Sequence, residues 1–132
     1  MLNIDIKTIP RKDQRYETVG DYYESTADDG LQHVRVSDMG NSDYELLVAI
    51  HELVEWYLTA KRGIKPEDID DFDIKFEALR STAPEVIGDQ EPGHMVSAPY
   101  HKEHVTAERI ERILAAELGV DWEAYNTKAN HL

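Results

Sequence analysis

The chain has 132 residues, 41% of them hydrophobic and 31% charged, enough for one core of ordinary domain size. It has no cysteine, which excludes disulfide scaffolds, thiolate zinc fingers, cysteine nucleophiles and iron–sulfur clusters. The net charge is −13, of which −3 falls in residues 1–40 and −10 in the remainder, so a phosphate backbone is an unfavourable partner and cations or a basic protein suit the chain better.

Leu2, Ile4 and Ile6 alternate with polar residues and predict a strand with one buried face, ended by Pro10. Tyr16 to Tyr23 is rich in β-formers and predicts a second strand, with Gly20 as a candidate bulge. A turn at 27–30 leads to a third strand over Leu31 to Val36, paired with the second as a hairpin. Together these predict a small N-terminal antiparallel sheet of about three strands, followed by three main helices: an α+β fold.

Ser42 and Glu45 have capping-box spacing, so the first helix is expected from about Asp43 to Arg62, stopped by Gly63. Pro66 opens a second helix to about Arg80, with Ile69, Phe72, Phe76 and Leu79 on its apolar stripe. Residues 81–98 read as a long connection able to cover a cleft. The third helix spans about Pro99 to Leu118, and Asp121 caps a last turn that docks Trp122 and Tyr125. The expected organisation is one domain over 1–125 and a frayed tail over 126–132. No apolar run is long enough to span a membrane, and the first 20 residues lack the apolar core of a signal peptide, so a cytoplasmic protein is expected.

Two helices carry a His-x-x-x-Glu pair: His51 with Glu55, and His104 with Glu108. Residues four apart project from one helix face, here the edge of the apolar stripe, where a carboxylate must be paired, protonated or metal-bound. If the first and third helices pack side by side, His51, Glu55 and His104 converge on one divalent ion, with Glu108 orienting His104 or acting as a fourth ligand. Imidazole and carboxylate suit zinc best here, and also manganese, iron or nickel. His101 stands three residues before His104 as an open addition; His33 and His94 are expected at the surface or in loops, and His131 in the tail.

The run His51-Glu52-x-x-Glu55 resembles the active-site helix of zincin metallopeptidases, H-E-x-x-H. The resemblance implies that His51 is a zinc ligand and Glu52 the general base of a metal-dependent hydrolase; Glu55 takes the place of the second histidine. More broadly, the run Ala49 to Glu55, Glu91-Pro92-Gly93, Pro99-Tyr100, His104 and Gly119-Val120-Asp121-Trp122 resemble a family of uncharacterised phage and prophage proteins over roughly residues 43–125.

Two other functions fit parts of the pattern. One is a non-enzymatic acidic phage accessory protein that binds a basic protein partner. The other is a magnesium-dependent nucleotide pyrophosphohydrolase, imitated by Glu52-x-x-Glu55 and Asp70-x-x-Asp73. The acidic run 67–73 lacks the glycine and the final glutamate of a calcium loop, and reads as helix N-terminal charge.

Overall fold

In the computed structural model, residues 1–27, 29–88 and 90–132 are described. Asp28 of the expected 27–30 turn and Asp89 of the expected 81–98 connection lie outside the described residues. Contacts divide the chain into two units, Met1–Leu53 with Ala107–Leu132, and Val54–Thr106.

The first unit is built on three strands: β1 (Ile4–Ile9), β2 (Gly20–Glu24) and β3 (Gln32–Ser37), in the order β1-β3-β2. The β2–β3 hairpin is antiparallel as expected, with Tyr22 opposite Val34. β1, however, runs parallel to β3, with Ile6 opposite Val34, so the sheet is mixed and not wholly antiparallel. The chain reverses once between β1 and β2 and again between β2 and β3, so β1 runs in the direction of β3 and lies on an edge. There Ile4 packs on the core, while Leu2 and Ile6 are exposed and the expected buried face does not form. The core lies on the central strand: Val34 and Val36 pack with Met39, Leu47, Val48, Ala49, Ala115 and Tyr125.

Gly20 opens β2 and is no bulge. A Cβ there would stand 2.7 Å from Val48 Cγ1 and 2.8 Å from Glu52 Oε1, so glycine is what lets the helix carrying those side chains lie on the strand.

That helix, α1 (Ser42–Lys61), starts one residue earlier than expected. Asn41, and not Ser42, is its cap: the Tyr44 amide donates to Asn41 Oδ1 at 3.1 Å. Glu45 does not close the expected box with Ser42; it accepts from the Met39 amide at 2.8 Å, two residues before the cap. Gly63 follows at φ +69°, the left-handed value that ends a helix at little cost in glycine. At the other end of the first unit, Asp121 caps α5 (Trp122–Asn130) by accepting from the Ala124 amide at 2.8 Å. The last residues are therefore mostly helical and not frayed, because Ala129 and Leu132 pack against the sheet core.

In the second unit, α2 (Pro66–Thr82) buries Ile69 and Phe76 but leaves Leu79 exposed. The expected long connection is largely structured: α2 runs on to Thr82, α3 (Pro84–Ile87) follows, and Pro92–His94 forms a 3-10 turn. α4 (His101–Glu117) then begins, anchored in this unit by Arg62, whose Nη1 donates to the buried Glu103 at 2.7 Å. Ile69, Ala98 and Tyr100 form this unit's core, flanked by Ile64 and Phe72. Among the described residues, no helix is long and apolar enough to cross a membrane.

Candidate metal centre

The centre in the second unit is organised by one imidazole. His104, on α4, is 4% exposed. Its Nδ1 lies 2.9 Å from Glu55 Oε2 on α1. An ionised carboxylate can only accept, so Nδ1 carries the proton and donates it to Glu55. On the opposite side of the ring, Nε2 lies 3.2 Å from Glu91 Oε2. A neutral ring with Nδ1–H has a lone pair on Nε2, and a lone pair facing a carboxylate oxygen is repulsive. The arrangement is relieved by a second proton on the ring or by a cation between the two atoms.

A further donor converges on the same point. His94 Nε2 lies 3.9 Å from Glu91 Oε2, and the His94 and His104 rings meet edge to face with centroids 4.9 Å apart. The ligand atoms of Glu91, His94 and His104 all fall within 4.8 Å of one another. A tetrahedral ion bound at about 2.0–2.2 Å holds its ligands roughly 3.3–3.6 Å apart, so two of the three spacings need only small adjustment. His104 is buried, whereas the His94 and Glu91 side chains are 36% and 34% exposed, so the cluster is open on one side.

The 3-10 turn supplies this geometry. Pro92 and Gly93 place Glu91 and His94 on the same side, and Gly93 lies flat against the imidazole. A Cβ on Gly93 would be 2.3 Å from His104 Cγ and 2.4 Å from Nδ1. His101 does not join the cluster through Nδ1, which donates to the Gly93 carbonyl at 2.9 Å and so ties α4 to the turn.

Behind the imidazole, the Tyr100 ring stands 6.3 Å from that of His104, and its hydroxyl donates to Asp73 Oδ1. Burial pushes the Asp73 carboxyl up from its ordinary 3.8 to about 7; the Tyr100 hydrogen bond opposes this, and the charges of Glu55, Asp70 and Glu77 add to it.

Of the residues singled out in the sequence, Glu55 and His104 meet directly. His51 lies in the first unit, where its Nδ1 is 2.7 Å from Glu111 Oε1. Glu108 lies 3.8 Å from Arg112 Nη2, and it is Glu55 that holds the His104 Nδ1–H. Glu52 packs against Gly20 of the sheet. Each of the two imidazoles thus has a carboxylate of the other helix as a hydrogen-bond partner. Sequence reasoning passed over Glu91, His94, Glu111 and Tyr125. The signal for the first two was the compact Glu91-Pro92-Gly93-His94, in which a turn brings two ligand types three residues apart.

No family model, curated protein or solved structure matches the chain.

Proposed function

We propose that the chain is a divalent-metal-binding protein whose ion is held by His104 Nε2, His94 and Glu91, with Glu55 fixing the His104 ring from behind. The observation that carries this reading is the pair of carboxylates on one buried imidazole, one on each nitrogen. Glu55 then plays the part of the carboxylate that orients a metal-bound histidine and raises its basicity. Two imidazoles and one carboxylate form the donor set of many catalytic zinc sites, and the exposed side of the cluster leaves room for water. A water on such an ion is acidified, which is the starting point of metal-dependent hydrolysis.

Calorimetric titration of chelator-treated protein with zinc, manganese and nickel tests the reading. One ion should bind, and at a hundred-fold excess over Kd it should stabilise the fold by about 2.7 kcal/mol. His104→Ala should abolish binding, and Glu55→Gln should weaken it by about 10–100-fold. A protein that melts identically with and without all three metals overturns the proposal.

The separate zincin-like reading of the sequence, in which His51 holds the ion and Glu52 is the general base, has its own test. Glu52→Gln should retain metal and lose any hydrolytic activity, because the amide cannot accept the proton from bound water. Unchanged hydrolysis would remove Glu52 from the mechanism.

A further inference from the structure

β1 is a sheet edge: in the order β1-β3-β2, no strand among the described residues lies beyond it. Its residues pair with β3 in unbroken register from Ile4 to Ile9, with no proline and no bulge between them. Such an edge offers its outward N–H and C=O groups to a further strand. The ladder shows which groups those are. The Asn3 carbonyl accepts from the Gln32 amide at 2.9 Å and the Ile9 carbonyl from the Asp38 amide at 2.8 Å, so the odd-numbered residues bond towards β3. Alternation along the strand then turns the N–H and C=O of Ile4, Ile6 and Thr8 outwards. The side chain of Ile6 shares the face of Val34, which carries the core, yet Ile6 is 47% exposed. On the other face Asp5 and Lys7 flank it, with Lys7 Nζ 3.6 Å from Asp5 Oδ2.

We propose that β1 is a homodimer interface, pairing antiparallel with β1 of a second copy about Ile6. Charge complementarity selects both the occupant and the register. Outward groups must meet outward groups, so even-numbered residues stand opposite even-numbered ones. Centred on Ile6, Ile6 meets its own copy and Ile4 meets Thr8, each as a hydrogen-bonded pair. Asp5 then stands directly opposite Lys7 on both sides of the axis. These are the closer, non-hydrogen-bonded pairs, in which opposite charges stabilise and like charges repel. Centring on Asp5 or on Lys7 would set like charges against each other, and centring on Ile4 or Thr8 would leave one end of the strand unpaired. In the Ile6 register the exposed Ile6 side chains meet across the junction, and the two sheets become one. The interface lies in the first unit and is independent of the metal centre in the second.

Sedimentation equilibrium of the full chain tests this. With rising concentration the mass should pass from 15.1 kDa to twice that value. Amide exchange should slow at Ile4, Ile6 and Thr8 as the dimer forms. Ile6→Pro removes an outward donor but no bond to β3, so it should fold and stay monomeric. Lys7→Glu should weaken the dimer by about tenfold or more, because both ion pairs of the junction become repulsive. The Lys7 side chain is exposed, so this variant decides if Ile6→Pro does not fold. Asp5→Lys should weaken the dimer likewise. An equimolar mixture of the two charge variants should restore it, since opposite charges again face across the junction. A wild type that stays monomeric into the millimolar range overturns the inference, even if a different protein pairs with this edge. A dimer that dissociates no more readily with Lys7→Glu also overturns it.

Discussion

Gly93→Ala should abolish high-affinity zinc binding and cost about 1–3 kcal/mol of stability, the usual range for an added group in a packed site. The new methyl carbon would lie 2.3 Å from His104 Cγ, far inside van der Waals contact. The near atoms belong to the base of a ring held by Glu55, not to the end of a flexible chain, so the clash cannot be relieved by a simple rotamer change. Relief requires either that the Glu91–His94 turn lifts away or that the imidazole leaves Glu55. Both outcomes separate the three proposed ligands. Thermal melts with and without zinc check this directly. Wild-type affinity in the alanine variant would mean that the turn does not set the geometry of the centre.

Asp73→Asn should stabilise the protein at pH 8 by about 2–3 kcal/mol and change little at pH 4, a figure scaled from the cost per pH unit and discounted for partial exposure. The folded carboxyl has its pKa raised to about 7 against 3.8 ordinarily, so between these values the folded chain holds a proton that the unfolded chain has released. Stability therefore falls as pH rises from about 4 to about 7, and the full penalty of the buried charge is present above that. The asparagine variant keeps an oxygen for the Tyr100 hydroxyl, so the hydrogen bond survives while the titration is lost. Urea unfolding at a series of pH values should show the downward slope in the wild type and its loss in the variant. Parallel curves for the two proteins would show that Asp73 does not titrate in this range.

Both effects arise in the second unit, where His104 and Glu55 show what the chain itself discloses. The histidine and Glu55 could be chosen from sequence because an ionisable residue at the edge of an apolar stripe must be satisfied by something. What satisfies each could not be read. His104 finds Glu55 at a separation of 49 residues, and His51 finds Glu111 at 60. Four-residue spacing shows only that two side chains share a face of one helix. It does not show which of them reaches across to the neighbouring helix, and both imidazoles here have a carboxylate partner on that helix.

The local order of the chain was open to sequence reasoning because its causes are local. Helical periodicity, the stop at Gly63, Pro66 at a helix start and the Asp121 cap each act within about one turn, and each has its expected effect. Tertiary structure alone decided the rest. β1 lies parallel to β3 because of where the chain crosses, not because of its alternation of residues. The tail is helical because Ala129 and Leu132 find an apolar surface contributed by distant segments. Glu91 and His94 come beside His104 only because a glycine lets their turn approach within touching distance of a ring fixed by another helix. Pairing across elements depends on which surfaces meet, and that is settled by packing of the whole chain, not by any window of its sequence.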